Sequence, residues 1–324
     1  MVKKHTERNI TISALAAGVV LATASNSRAG LCKEDFLENI LSDREMDKLT
    51  AWNYAQEQPP EVIADLAEIM TGKNPSAAKA AFESLKLVVH SVGKEKGGER
   101  REQVTQQLIH LIDHPAREIQ YTALRLLSLV ADGRHVGTIL EKVREQEGLW
   151  EEAVYCIERI PGPEATDALL HGLEAAPDSF KPRIMAALGH RRDEKAVNKL
   201  IPYMGSTNPE LSINAMKALA RIGKEVEDTD LPDFESCSAW NRIEYVDSFL
   251  RYADAQREQG KSDNAYGIYA LLLDNPEEIP EHYQTAAVIG LSKIDSTEAR
   301  RLIKKQLENR HFIVRDMAEK VLKQ

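Results

Sequence analysis

Apolar side chains recur in this chain with a period of 30 or 31 residues, and this period constrains its fold more than any other feature. One column holds large aliphatic residues, a second beside it holds small residues, and a third lies four positions before the first. The three columns are Leu127, Ile157, Leu188 and Leu219; Leu126, Cys156, Ala187 and Ala218; and Ala123, Ala153, Ile184 and Ala215. Leu85 and Leu291 continue the pattern on either side. Because a short helical hairpin cannot bury its apolar face alone, such repeats fold by stacking on one another.

A second apolar stripe follows the columns at the i, i+1, i+4 spacing of an amphipathic helix. The stripes are Ile139-Leu140-Val143, Leu169-Leu170-Leu173 and Leu200-Ile201-Met204. Turn signals separate the helices at Asp132-Gly133, Pro161-Gly162-Pro163, Ala176-Pro177-Asp178 and Asn208-Pro209. No alternating apolar run bounded by turns occurs in the sequence, so we expect no strands. The sequence therefore predicts an all-α chain of helical hairpins.

The repeat resembles the HEAT family, in particular its short bacterial form named after phycobilisome lyases. The resemblance rests on MAALGHRRDEKAVNKLI (185–201), MKALARIG (216–223), DHPAREIQYTAL (113–124), TNPELSINAMKAL (207–219) and NRHFIVRDMAEKVL (309–322). It covers residues 60–225 and 282–324. It implies an α-α superhelix, a right-handed solenoid of HEAT-like hairpins whose second helices line an extended concave surface.

The repeats and their interruption divide the chain into five segments. We expect a signal peptide over 1–29, an N-terminal helical cap over 30–60, HEAT-like repeats over 61–231, an inserted hairpin over 232–280, and C-terminal HEAT-like repeats with a cap over 281–324. The period breaks before Leu291, which lies 72 residues after Leu219. Segment 249–278 resembles a tetratricopeptide unit at Ala253, Gly260, Ala265, Tyr269 and Pro276. A helical hairpin inserted into the stack explains the same residues.

The first 29 residues have the layout of a secretory signal peptide. Three basic residues precede an uncharged run from Ile10 to Leu21, and small residues suit cleavage after Ala24 or Ala29. A membrane anchor is the alternative, but the run is shorter than the ~20 residues that span hydrocarbon. Lipidation at Cys32 is disfavoured, since the leucine usual three places before a lipid-bearing cysteine is missing. We therefore expect an exported protein, periplasmic or secreted, with no membrane span in the mature chain.

The charge of the chain argues against nucleic acid as a partner. The net charge is −9, and residues 1–29 carry four basic residues and Glu7, so the mature charge becomes −9 − 4 + 1 = −12. Binding to a duplex needs a basic stripe that displaces phosphate counterions, and the sequence shows none.

The three cysteines do not describe a disulfide framework. Cys156 falls in the column of small residues, which predicts a buried thiol that packs as a small hydrophobe. Cys32 and Cys237 could pair in an oxidising compartment, but nothing in the sequence brings them together, and the question stays open.

Candidate sites for metal binding or catalysis are weak. His110 and His114 share a spacing that can hold a metal on one helix face. Pro115 ends that helix, and no third ligand stands at motif spacing, so we interpret the two histidines as capping a helix end. The charged run His190–Glu194 is interpreted as capping the helices around a turn. No motif of a nucleophilic or metal-dependent enzyme is present, so we expect no enzyme, no metal and no cofactor.

Candidate partner-binding residues come from the second helices and from a late aromatic cluster. On the second helices, the polar positions between the leucines are expected to face outward on the concave side. These are Lys142, Glu145, Glu174, Asn198, Lys199, Arg301 and Lys305. Eight of the 18 aromatic residues lie between 234 and 283, where they are interpreted mainly as the core of the hairpin. Trp240 is the hypothetical apolar anchor that closes one end of the groove; the alternative is that it plugs the hairpin core.

The favoured function is a non-enzymatic exported scaffold that binds a protein or peptide partner on its concave surface. An enzyme or enzyme subunit of the lyase type, using the same groove, is the first alternative. A purely structural envelope protein is the second. We expect a monomer, and the sequence does not identify the partner.

Export generates the first prediction. Mass spectrometry of the protein from its native host should find a mature N-terminus near Ser25 or Gly30, because a signal peptidase cleaves after small residues that follow the apolar run. An intact Met1 on a cytosolic protein would contradict the signal peptide.

Overall fold

The computed structural model describes residues 30–93, 97–144, 146, 148–223 and 238–324. The predicted signal peptide, Cys237 and the predicted boundary at residue 231 lie outside these residues. Within them the chain forms α-helices, 3-10 turns and loops, and no strand is present in this part. The predicted fold class, an all-α stack of hairpins of the α-α superhelix type, is confirmed. None of the helices described is both long and apolar enough to cross a membrane.

The described chain falls into two compact units that divide after Ile119. The first unit contains five helices among its described residues: α1 (Lys33–Leu41), α2 (Glu45–Tyr54), α3 (Val62–Met70), α4 (Pro75–Gly93) and α5 (Glu99–His110). Helix α4 is its centre, because α1, α2, α3 and α5 all pack against it. Leu85, predicted to continue the repeat, is buried on this helix.

The second unit contains the remaining hairpins. Helix α6 (Arg117–Val130) crosses the division between the units. The helices that follow are α7 (Val136–Arg144), α8 (Trp150–Arg159), α9 (Pro163–Ala175), α10 (Lys181–Arg191), α11 (Val197–Met204), α12 (Pro209–Ile222), α13 (Ala239–Glu258), α14 (Ser262–Asp274), α15 (Glu281–Ser292), α16 (Thr297–Lys305) and α17 (Phe312–Leu322).

The first helices of successive hairpins pack directly against one another. Helix α10 lies between α8 and α12, α13 packs against α12, and α15 packs against both α13 and α17. The hairpin predicted as an insertion is formed by α13 and α14. Since α13 contacts α12 on one side and α15 on the other, this hairpin occupies a place in the stack.

The three sequence columns form the core between these helices. Every member of the columns is 6% exposed or less, and Ala187, Leu188 and Ala218 are fully buried. The stripe of the second helices is confirmed at its first residue in all three helices and at its last residue in two, Val143 and Leu173, whereas Met204 is half-buried. Ile139, Leu169 and Leu200 are buried, whereas the residue after each of them is only half-buried. The predicted register of the repeat is therefore correct.

Helices α10 and α12 approach each other to backbone contact. A Cβ atom built on Gly189 would lie 2.7 Å from Cα of Ala218 and 3.0 Å from its Cβ. Glycine and alanine at these positions allow the two helices to cross this closely, as expected for a column of small residues.

The predicted turns are built as their residues suggest. Asp132 accepts a hydrogen bond from the backbone N of Arg134 at 3.0 Å, and Asn208 caps α12 by accepting one from the backbone N of Glu210 at 3.0 Å. Gly162 has a φ of 103°, which disfavours any other residue, and Pro163 follows it at the start of α9. The chain therefore reverses at each of these points, with a side-chain cap at Asp132 and at Asn208.

Arg191, the last residue of α10, caps the end of the preceding first helix α8. Its guanidinium donates to the carbonyl oxygens of Ile160 at 2.6 Å, Glu158 at 3.1 Å and Ile157 at 3.3 Å. It also donates to the carbonyl oxygen of Gly162 at 2.6 Å and to Oγ1 of Thr166 at 3.0 Å. The last carbonyl groups of a helix have no intrahelical partner, so this one side chain satisfies the end of its neighbour.

We predict that Gly189→Ala destabilises the protein. The added methyl group must push α10 and α12 apart, and overpacking of this kind costs about 1–3 kcal/mol. Gly267→Ala on α14 is the matched control, because a Cβ there meets nothing within 4 Å, and it should be neutral or stabilising by up to ~1 kcal/mol. Chemical denaturation measures both. Equal stabilities would show that the close crossing is absent.

We predict that Arg191→Lys lowers the free energy of unfolding by about 1–3 kcal/mol, because an ammonium group cannot reach several carbonyl oxygens in the planar arrangement of a guanidinium. The neighbouring exchange Arg192→Lys, at an exposed position, should change it by less than about 0.5 kcal/mol. Thermal and urea unfolding compare the two variants, and an unchanged Arg191→Lys variant would contradict the capping role.

Candidate functional site

The polar residues predicted on the second helices lie at the surface. Glu174, Asn198, Lys199, Arg301 and Lys305 are exposed, Lys142 is half-buried, and Glu145 lies outside the described residues. The sequence therefore placed the described members of this set on outward-facing positions, as expected from the leucines between them.

Several of these side chains pair with a neighbouring hairpin. Lys199 on α11 forms an ion pair with Glu174 on α9, and this contact holds the pKa of Glu174 below its usual value. Nζ of Lys305 lies 3.2 Å from Oδ1 of Asp274. Both pairs are solvent-exposed, and exposed pairs contribute little to stability. These side chains are therefore available to a partner at a small cost in stability.

Trp240 lies in the first turn of α13 and is 70% exposed. It borders an open groove between α12 and α13, together with Ile213, Asn214, Lys217 and Glu244. The alternative that Trp240 plugs the hairpin core is wrong, since a core residue would be buried. Tyr245, Phe249, Tyr252 and Tyr269 fill that core instead, each no more than 3% exposed.

The position of Trp240 corrects one expectation. From the sequence, Trp240 is expected at the end of a groove lined by second helices. The structure places it beside α12, which belongs to the row of first helices that includes α8 and α10. The indole and the second-helix residues Glu174 and Lys199 therefore belong to two different rows of helices.

An apolar cavity of about 390 Å³, which was not predicted from the sequence, is bounded by α7, α8, α9 and α10. Trp150 and Phe180, the residues at the starts of α8 and α10, line it and are 39% and 42% exposed. A comparison of the repeat copies position by position would have found it. Leu149 and Leu211, which stand one period before and after Phe180, are buried.

The two histidines of the predicted pair have different surroundings. Nδ1 of His114 accepts a hydrogen bond from the backbone N of Ala116 at 3.0 Å, and its Nε2 lies 3.5 Å from Oε1 of Glu68. His110 is exposed at the end of α5. Among the residues that the structure describes, no three histidine, cysteine, aspartate or glutamate side chains are grouped as metal ligands.

Cys156 is buried as predicted from its place in the column of small residues. Burial raises the pKa of its thiol to about 12. The thiolate is the nucleophilic form of cysteine, so this residue is unsuited to covalent catalysis at neutral pH. Cys32 caps the start of α1, where its Sγ accepts a hydrogen bond from the backbone N of Asp35 at 3.4 Å.

Comparisons with known proteins give no family assignment. No family model matches the chain, and no curated protein matches it. Among solved structures, an engineered protein is 17% identical with a TM-score of 0.40, and the match covers 89% of this chain and 87% of that chain. Human deoxyhypusine hydroxylase in complex with glycerol is 15% identical with a TM-score of 0.32, over 82% of this chain and 96% of that chain.

A second engineered protein is 17% identical with a TM-score of 0.22, and the match covers 89% of this chain and 95% of that chain. Sequence identity and superposition are low in all three cases. The function must therefore be argued from the residues of this chain.

Proposed function

We propose that the mature chain is a non-enzymatic, exported, HEAT-like repeat scaffold that binds a protein or peptide partner. The observation that carries the proposal is the exposed indole of Trp240 beside a groove. Tryptophan is enriched among the residues that dominate protein–protein binding energy, because it buries a large rigid surface and retains one hydrogen-bond donor.

The fold does not need Trp240. The hairpin core is filled by other aromatic side chains, and the hydroxyl group of Tyr269 is satisfied there by Asp254 at 2.6 Å. An exposed tryptophan that contributes little to packing is typical of a residue that becomes buried on binding. The loss of Trp240 should therefore affect a complex more than it affects the folded chain.

The groove beside Trp240 combines an apolar centre with polar edges. Ile213 provides an apolar floor, and Lys217 forms an ion pair with Glu244 across the groove. Asn214 also lines the groove, and its Nδ2 donates to the backbone O of Glu210 at 2.8 Å. Apolar contact at the centre and polar contact at the rim is the arrangement found in protein interfaces.

The second-helix residues are proposed to act separately from this anchor. Their exposed charges of both signs suit orientation and specificity of association more than affinity. Because they belong to the other row of helices, a partner that contacts both sets must reach around the stack. We place the primary contact at Trp240 and assign Glu174, Lys199, Arg301 and Lys305 a secondary role.

The proposal is tested by capture of partners from the envelope fraction of the native host with a chain that begins at Gly30. The wild-type chain should retain a stoichiometric partner. Trp240→Ala should weaken its affinity about 30-fold, which corresponds to a hot-spot loss of ~2 kcal/mol, while the melting temperature stays unchanged. Trp52→Ala is the control, since Trp52 is also exposed but lies in the first unit.

Equal retention of the partner by both variants would remove Trp240 from the interface. If the wild-type chain retains no partner and instead turns over a compound in a substrate screen, the enzyme alternative replaces the scaffold. A chain that neither retains a partner nor shows turnover would favour the structural alternative.

A further inference from the structure

The cavity bounded by α7, α8, α9 and α10 lies beside positions where one repeat copy carries small residues. Gly172 on α9 stands 30 residues after Lys142 on α7 and 31 residues before Tyr203 on α11. Ala168, one turn earlier, corresponds in the same way to Lys199 on α11. A Cβ built on Gly172 would make an ordinary van der Waals contact with Cδ1 of Ile184 at 3.6 Å, so the glycine is not required by a close helix crossing.

Phe180 departs from the repeat because it is a large apolar residue that is exposed where the other copies have a buried one. Ile119, Leu149 and Leu211 occupy the same column and are no more than 3% exposed, whereas Phe180 is 42% exposed. Its ring lines the cavity together with that of Trp150. The rings of Trp150 and Phe180 are therefore partly exposed to water beside an apolar cavity. At the position of Phe180, the other repeat copies bury their apolar residue.

Charged side chains lie at the edge of this cavity. Arg144, in the last turn of α7, and Arg183, in α10, line it together with one carboxylate, Glu151. Nη1 of Arg183 lies 2.9 Å from Oε2 of Glu158, which holds that guanidinium in place, and Arg144 is exposed. Because Glu158 already pairs with Arg183, Arg144 is the lining arginine placed to meet an anionic group at the edge of the cavity.

We propose that this cavity binds a small apolar molecule that carries one anionic group, of the fatty-acid class. The apolar part lies against Ala168, Gly172 and Val154, covered by Trp150 and Phe180, and the anionic group lies near Arg144. The cavity has a volume of about 390 Å³. Small-molecule pockets have volumes of ~300–1,000 Å³, so the cavity falls within this range. The proposal does not depend on the scaffold function, since Trp240 does not line this cavity.

Trp150 provides a direct probe of this site. The chain has three tryptophans, and the other two, Trp52 and Trp240, are exposed. Replacing both with phenylalanine leaves Trp150 as the only indole. Titration of this variant with decanoate should give a saturable change in its fluorescence, and ω-bromodecanoate should quench it, because bromine quenches an indole that it contacts. A variant that keeps only Trp240 should show no saturable quenching.

Two substitutions test the two ends of the ligand. Gly172→Leu fills the cavity and should weaken decanoate at least tenfold, while Gly267→Leu, at an open position of α14, should not. Arg144→Ala should weaken decanoate severalfold and leave decanol unchanged, since only the carboxylate contacts the guanidinium. If Gly172→Leu proves unfolded by circular dichroism, the comparison of quenching at Trp150 and Trp240 decides the location.

Equal quenching at both tryptophans, or no saturation at Trp150, would overturn the proposal. So would a folded Gly172→Leu variant that binds decanoate as the wild type does. If decanol binds as tightly as decanoate, the ligand does not need an anionic group, and that part of the proposal is overturned. Anionic phospholipid vesicles serve as a further arm, and quenching by brominated vesicles without binding of free decanoate would overturn the assignment to a free small molecule.

Discussion

The stack of hairpins depends on the close crossing of its first helices. Gly189 on α10 and Ala218 on α12 bring two backbones into direct contact, and Ala187, Leu188 and Ala218 at this crossing are fully buried. At such a distance the shape of the backbone determines how the next hairpin is placed, and side-chain packing adjusts around it. The close crossing of the first helices is therefore the geometric reference from which the positions of the second helices follow.

A second requirement is that helix ends buried by stacking find hydrogen-bond partners. Side chains of a following hairpin supply them in both units. Arg191 satisfies the end of α8, Nε2 of Gln256 donates to the carbonyl oxygen of Gly223 after α12, and Arg100 donates to the carbonyl oxygens of Gln56 and Gln58 in the first unit. These contacts join hairpins through polar groups where the apolar columns end.

The fold was predictable because it follows from a constraint that every copy of the repeat shares. Each residue of the three columns is buried in the structure, and turns at Asp132, Gly162 and Asn208 are built from the residues that predicted them. The candidate sites were less predictable because they depend on single departures from the repeat. Gly172 and Phe180 indicate a cavity only when they are compared with the residues at the same positions of the other repeat copies. The sequence left open whether Trp240 is an exposed anchor or a core residue. It also could not show on which row of helices Trp240 lies, because the period breaks before α13.

The direction of the capping contacts has a consequence for how the chain is made. Arg191 lies 31 residues after Ile160, whose carbonyl oxygen it satisfies. During synthesis from the N-terminus, the α8 hairpin is therefore complete in sequence before the group that closes its end has been added. Each such hairpin must wait for roughly one further repeat to emerge before its last turn is protected from water. Truncation from the two ends is then unequal: loss of a following hairpin uncovers the helix ends of the one before it, whereas loss of a preceding hairpin leaves a donor such as Arg191 free to turn toward solvent.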